Sequence, residues 1–223
     1  MKIGVLGAGR MAEALVPRWL TAGHEIMIGG RTPQKAQDLA ARVGARSGTL
    51  RDAAEFGEVN FLAVLYAGLD STLRDAGAAD GTLAGKVLID CTNPVEVERF
   101  TLISKLGTSA SEKIATVSGA SVVKAFNQVH CHVWGSGARY HGEPLAVPIA
   151  GGEDAKLVVA GLVRDAGAEP LDAGELEQAH NLEAMAAVVI RLLFGGVDPL
   201  AAFQFTIGAA QSAAVSSGST VAR

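Results

Sequence analysis

The sequence predicts an α/β protein: a Rossmann-type, doubly wound, mostly parallel sheet with a small C-terminal helical part. Three observations predict it. Short apolar runs alternate with helical patterns along almost the whole chain, the sign of a parallel sheet covered on both faces. The first 35 residues read as one β-α-β unit whose turn is Gly7-Ala8-Gly9-Arg10-Met11-Ala12, a G-x-G-x-x-A. The 223 residues are 49% hydrophobic and only 19% charged, enough to bury a sizeable core.

The elements follow in order. Ile3 to Leu6 is an apolar run and marks a strand at 2–6; further strands fall near 25–29, 44–47, 59–65, 86–90, 121–126, 145–150 and 168–171. Helical periodicity places helices near 10–22, 33–42, 50–56, 68–76, 109–116, 153–166 and 174–194. Pro17 sits inside the first helix and should kink it. Asp90-Cys91-Thr92-Asn93-Pro94 ends a strand with turn chemistry, and 95–108 reads as a surface loop. Ser109-Ala110-Ser111-Glu112 fits a capping box, and Gly167 a helix stop. The break after Gly151-Gly152 is the best seam. It divides the chain into a Rossmann-type domain, 1–150, and a small second domain, 151–223. The final helix is apolar around much of its circumference (Leu176, Leu182, Met185, Ala186, Val188, Val189, Leu192 and Leu193). Such a helix is buried in a core or between subunits. The residues 216–223 are small and polar and should fray.

The opening turn carries chemistry. Gly7 permits the tight exit from the strand, Gly9 lets backbone approach a pyrophosphate, and Ala12 is small enough for helix to pack on strand. The helix N-terminus offers free N–H groups to phosphate. A dinucleotide is the implied ligand, and the end of the second strand says which. An NAD site carries Asp or Glu there; this chain has none between Ile26 and Gln34, but has Arg31, Thr32 and Lys35. Two cations and a hydroxyl suit a 2′-phosphate, so NADP is expected. Thr32-Pro33 also fits an ordinary N-cap with proline at N1, and Lys35 a solvated helix charge.

Composition narrows the class. A net charge of −4 without a basic block argues against nucleic acid. Cys91 and Cys131 suggest no disulfide framework. The N-terminus enters a strand at residue 2, so no signal peptide is expected. The uncharged stretch 199–222 is long enough to span a membrane but too polar to do so. A cytoplasmic protein with no membrane partner is expected.

Several segments together resemble a known family, the NADP oxidoreductases dependent on the deazaflavin coenzyme F420. They are GAGRMA at the start, GGRT at the second strand end, KVLIDCTNP at 86–94, VVKAFN at 122–127 and LDAGELEQAHNLE at 171–183. The cytosolic part of membrane metalloreductases looks similar, and the first 23 residues also resemble pyrroline-5-carboxylate reductase. The resemblance to the deazaflavin family implies a homodimer that passes hydride between NADP(H) and a deazaflavin or flavin-like small molecule. By matched position, Gly7, Ala8, Gly9, Arg10 and Met11 would cradle the pyrophosphate, and Arg31, Thr32 and Lys35 the 2′-phosphate. Leu65, Tyr66, Asn93 and Pro94 would line the nicotinamide side. Lys124 to His130, with Lys124 and Asn127 foremost, would border the second coenzyme. Two departures fall near that second ligand: Tyr66-Ala67 replaces a Pro-Trp, and Asn127 a His. Alternatives are an NADPH-dependent reductase of imines or ferric chelates, and a non-catalytic NADP-binding redox sensor.

Hydride transfer between two ring cofactors needs little acid–base help, so no catalytic side chain is assigned. His130-Cys131-His132 resembles a metal cluster, but in a strand the two histidines would share one face with the cysteine on the other; no metal is expected. His24 should be structural, and His180 could approach the cleft.

Overall fold

The computed structural model describes residues 1–96, 98–103, 108–135, 137, 139–140, 142–199 and 205–206. The expected frayed end, 216–223, lies outside the described residues, as does the stretch 199–222 apart from Pro199, Phe205 and Thr206. The elements are β1 (Lys2–Leu6), α1 (Arg10–Thr21), β2 (Glu25–Gly29), α2 (Pro33–Val43), β3 (Arg46–Gly48), α3 (Leu50–Phe56), β4 (Val59–Leu62) and α4 (Leu69–Asp75). They continue as β5 (Val87–Asp90), α5 (Ala110–Ser118), β6 (Ser121–Lys124), α6 (Cys131–Gly135), β7 (Ala146–Gly151), α7 (Glu153–Asp165), β8 (Glu169–Asp172) and α8 (Ala179–Phe194).

The strands form one sheet in the order β8-β7-β6-β5-β4-β1-β2-β3. From β3 across to β6 every pairing is parallel. β7 runs antiparallel to β6 and pairs in parallel with β8. The expected doubly wound, mostly parallel architecture is therefore present. The direction of winding reverses between β1 and β4, and this switch point is where an open α/β sheet leaves a crevice for ligands.

Alternation along the strands builds two cores. Ile3, Val5, Phe61, Ile89 and Val123 face α1, α2 and α7, whereas Leu6, Leu62, Leu88 and Val122 face α3, α4 and α5. One core is knitted by aromatic rings: Trp19 meets Phe61 and Phe126 edge-on at 5.2 and 6.0 Å, and Phe126 meets Trp134 at 5.6 Å. The Trp19 indole donates to the Leu162 carbonyl at 2.9 Å and ties α1 to α7. Gly4 marks the closest approach on the other face. A Cβ there would lie 2.1 Å from the Ala53 carbonyl oxygen, so α3 can sit on β1 only over a bare backbone.

The differences from expectation have local causes. The fourth strand stops at Leu62 rather than 65, and Tyr66–Gly68 form a single 3-10 turn. The sixth stops at Lys124 rather than 126, because Phe126 takes a left-handed backbone with φ 63°, which no strand contains. The expected loop at 95–108 contains a small antiparallel ribbon, Val95–Glu96 against Thr101–Leu102. The segment after His130 is helical, α6, and not extended. The long final helix begins at Ala179, after a 3-10 turn over Leu176–Gln178. α1 runs on through Pro17, which sits on its exposed side. The seam at 151–152 falls between β7 and α7, and β8 continues the same sheet beyond it.

Candidate functional site

The crevice begins at the end of β1. Gly7 has φ 127°, and a Cβ on it would sit 2.4 Å from the Ala63 carbonyl oxygen; only glycine holds this turn. Its N–H donates to the Gly29 carbonyl at 2.8 Å, which seats the turn against the end of β2. Gly9 is the N-cap of α1 in extended conformation, with no side-chain cap, and its carbonyl accepts from the Glu13 N–H at 3.0 Å. The N–H groups of the first turn therefore face outward at exposed Gly9 and Arg10 and half-buried Met11. They make a positive cradle of the kind a pyrophosphate occupies. Ala8 is half-buried beside them and Ala12 fully buried beneath.

At the end of β2, Arg31, Thr32 and Lys35 are all exposed. Thr32 is the N-cap of α2 and Pro33 stands at N1, but the threonine hydroxyl makes no cap hydrogen bond. That hydroxyl is therefore not consumed by the helix. Arg31 reaches across to the Ser71 hydroxyl at 3.3 Å, lying over Gly68. A hollow of about 420 Å³ adjoins it, bounded by Gly30, Pro33, Gln37 and Thr49. A larger one of about 840 Å³ follows the outer face of α1, from Arg10 past Pro17 to Thr21, opposite Trp134 and His132. Only its Arg10 end touches the crevice, so size does not mark the site here.

The other side of the switch point is formed by the ends of β4, β5 and β6. Leu65 is 85% exposed. Tyr66 is half-buried with the Lys113 ammonium 6.0 Å from its ring centre. Asn93 and Asn127 are locked together: the Asn93 amide donates to the Asn127 backbone carbonyl at 3.1 Å, and the Asn127 amide donates to Asn93 Oδ1 at 3.0 Å. Asn127 also donates to the Leu182 carbonyl of α8 at 3.2 Å, and Gln128 donates to the same oxygen. Pro94 is buried beside Asn93. Asn93, Pro94 and Asn127 are thus brought together.

Lys124 is not free to meet a ligand, which corrects its expected place at the second coenzyme. Its side chain is wholly buried, and its three N–H donors go to Asp90 Oδ2 at 2.9 Å, the Thr92 carbonyl at 2.6 Å and Glu183 Oε1 at 2.8 Å. An ammonium has no fourth donor. Asp90 also accepts from the Ser111 hydroxyl at 2.7 Å and the Thr92 N–H at 2.8 Å. Glu183 accepts from the Ala110 N–H, at the first turn of α5, at 3.0 Å. The expected capping box of Ser109 and Glu112 starts that helix. Burial alone would pull the Lys124 ammonium down, but Asp90 and Glu183 outweigh it and hold its pKa above the ordinary lysine value. Burial lifts Glu183 above the ordinary glutamate value despite the lysine beside it, and the charge of Asp90 adds a smaller push in the same direction. Sequence reasoning missed Asp90 and Glu183. Their only signal was a charge at the end of an apolar strand and another on the buried stripe of an apolar helix.

The cysteines are free. Cys91 donates to the Leu62 carbonyl at 3.3 Å; burial first, then the charge of Asp90, push its thiol up to about 12. His130 and His132 lie edge to face at 4.9 Å on either side of Cys131. Burial, His132 and Arg10 hold the His130 imidazole below its ordinary value. His24 pairs with Asp165 at 2.8 Å, tying α1's end to α7. His180 sits half-buried on α8.

Removing the Lys124 ammonium leaves two buried carboxylates facing each other. Lys124→Met should cost about 3–5 kcal/mol in urea denaturation. In the native protein a raised lysine pKa means that the contribution is complete below the ordinary lysine value and lost as pH rises through the raised one. The variant should lack that alkaline loss. A penalty under ~1 kcal/mol would show that the cluster is not held by charge.

Comparison with known proteins gives this geometry its relatives. Residues 2–94 match the family model described as NADP oxidoreductase, coenzyme F420-dependent. The F420-dependent NADP reductase of Methanothermobacter marburgensis is 28% identical over 221 residues, covering 86% of this chain and 92% of that protein. The rat metalloreductase STEAP3 is 34% identical over 194 residues; the match takes in 86% of this chain but only 37% of the rat protein. Among solved structures, a candidate F420-dependent NADP reductase from Arthrobacter sp. FB24 superposes with a TM-score of 0.81 at 29% identity, covering 93% of this chain and 99% of that one. An imine reductase of Myxococcus stipitatus in complex with NADP+ shares the fold, with a TM-score of 0.64 at 22% identity over 88% of this chain and 63% of its own. The glycine turn, the basic β2 end and these matches agree in one likeness: the chain resembles the coenzyme F420-dependent NADP oxidoreductases, whose family model it matches over residues 2–94.

Proposed function

We propose that the protein passes hydride between NADP(H) and a deazaflavin or flavin-like ring, with the coenzyme F420 type as acceptor. The observation that carries the nucleotide half is the cradle at Gly7–Met11 together with Arg31, Thr32 and Lys35. The backbone is bare where a Cβ would collide, and two cations and an uncommitted hydroxyl await a 2′-phosphate at a strand end that carries no carboxylate of its own, although Asp52 and Asp75 line the adjoining hollow. When bound, the nicotinamide supplies the hydride. The protein orients it: the locked amides of Asn93 and Asn127 can hold a ring in place, and exposed Leu65 with Tyr66 offers an apolar wall. Amides do not transfer protons, which suits a reaction whose chemistry sits in two cofactors. The match along 92% of an archaeal reductase supports the deazaflavin acceptor. The likeness to a metalloreductase supports ferric chelates as the second reading.

The working form we propose is a cytoplasmic homodimer, the small C-terminal part, 151–223, serving dimerisation and cleft closure. Two free thiols fit a reducing compartment, and no helix among the described residues is long and apolar enough to cross a membrane. On α8, Val188, Leu192 and Phe194 remain exposed, whereas Val189 is buried against the protein's own core. The exposed apolar stripe is the surface a second copy would cover.

Three tests follow from this function. Arg31→Ala should weaken NADPH by roughly 10- to 150-fold, the size of a charge-assisted phosphate contact, and leave NADH nearly unchanged; equal losses in paired titrations would refute the 2′-phosphate role. With NADPH deuterated at either face of C4, anaerobic turnover should label the reduced deazaflavin from one face only. Turnover of a ferric chelate or imine without the deazaflavin would reassign the acceptor, and NADPH binding without any turnover would favour a sensor. Light scattering should show a dimer that Leu192→Asp or Val188→Asp splits, and a monomeric unmodified protein would overturn the dimer.

A further inference from the structure

We infer that Glu183 is a positioning residue for the nicotinamide end of the crevice: it holds α8 to the buried end of the sheet, and so fixes the carbonyl from which Asn127 and Gln128 are hung. The inference rests on the proposed NADP site and adds a residue that the hydride chemistry does not itself call for.

The geometry is a closed chain of contacts. Glu183 Oε1 accepts from Lys124 at 2.8 Å, and both carboxylate oxygens accept from the Ala110 N–H at 3.0 and 3.1 Å. Lys124 in turn holds the Thr92 carbonyl, one residue before Asn93. On α8, the residue before Glu183 is Leu182, whose carbonyl receives the side-chain amides of both Asn127 and Gln128. Asn127 then closes onto Asn93. One ammonium thus sets the two asparagines from both sides: directly through Thr92, and through Glu183 and Leu182.

The amide orientations are fixed by their surroundings. The two groups facing the Asn127 nitrogen, Asn93 Oδ1 and the Leu182 carbonyl, are both acceptors, so the nitrogen must lie there. Asn127 Oδ1 and Gln128 Oε1 are left without a partner among the described residues. A shift of Leu182 would free both amides to rotate. The segment also stores strain, because Phe126 is held in a left-handed backbone by its packing on Trp19, Phe61 and Trp134. A strained turn keeps its geometry only while its surroundings over-determine it, and the Leu182 carbonyl is one of the groups that does so.

Charge balance makes the test clean. Removing Glu183 leaves Lys124 and Asp90 as a neutral pair, with no stray buried charge. Glu183→Leu fills the space and cuts the tether; Glu183→Gln keeps an acceptor for Lys124. Each variant is titrated with NADPH and with 2′,5′-ADP, which lacks the nicotinamide half. The fluorescence of bound NADPH is followed and thermal melting recorded. We expect Glu183→Leu to weaken NADPH roughly tenfold, about one hydrogen bond's worth, and to lose much of its fluorescence enhancement, while 2′,5′-ADP binds as before. Glu183→Gln should stay near the unmodified protein in all three readouts. Should Glu183→Leu not fold, Glu183→Met is read in the same way. A Leu or Met variant that melts lower yet binds NADPH with full affinity and fluorescence overturns the inference and leaves Glu183 a stability residue. Equal losses in the Gln and Leu variants overturn it too, since the tether would then not be the cause. Failure of the unmodified protein to bind either nucleotide would instead refute the NADP site itself, and this inference with it.

Discussion

The structure depends on one ammonium in the wrong solvent. Lys124 lies at the end of a central strand with no exposed surface, and it survives there as a cation because two carboxylates and a carbonyl surround it. Removing a charge from water is so costly that the site must supply every partner at once. Those partners come from β5, from the turn after β5 and from α8, and a helix start at α5 feeds N–H and O–H donors to the carboxylates. The segments that carry Asn93 and Asn127 are therefore not independent loops. They are the flanks of a single electrostatic knot.

The glycine turn and the end of β2 are built on the opposite principle. Nothing there is buried and charged; the cradle is made by leaving atoms out. Gly7 and the uncapped start of α1 expose backbone N–H groups, and the cations at Arg31 and Lys35 remain in water. An exposed cation is cheap to keep and easy to screen, so these side chains can be exchanged without disturbing the core. One half of the crevice is rigid and integral to the fold. The other is a surface feature resting on a tight turn.

The sequence was most legible where one local rule decides the outcome. Run length and alternation located all eight strands of the main sheet, and the Ser109–Glu112 box located the start of α5. The left-handed Phe126 was not legible, because nothing about a phenylalanine announces positive φ; it goes with packing on Trp19 and Phe61, far away in the chain, and on Trp134. Nor was the Lys124 cluster, whose partners lie 34 and 59 residues away. Asp90 and Lys124, alone, look like ordinary charges at the ends of apolar runs, and Glu183 like an ordinary charge on an apolar helix. The ribbon at 95–102 escaped because two-residue strands carry no periodicity. In the site, the glycine turn and the basic strand end could be read directly. The duty of Lys124 could not, since it turns on whether its donors are already spent.

The antiparallel β7 limits how the chain can be divided. Although 151–152 reads as a seam, β7 covers the free side of β6 and is itself covered by β8. A fragment ending before β7 would keep the whole glycine-rich unit yet present β6 with a row of unpaired N–H and C=O groups, an open template for another chain. The glycine-rich unit and the strands beyond it share one sheet and should therefore unfold together as one cooperative unit.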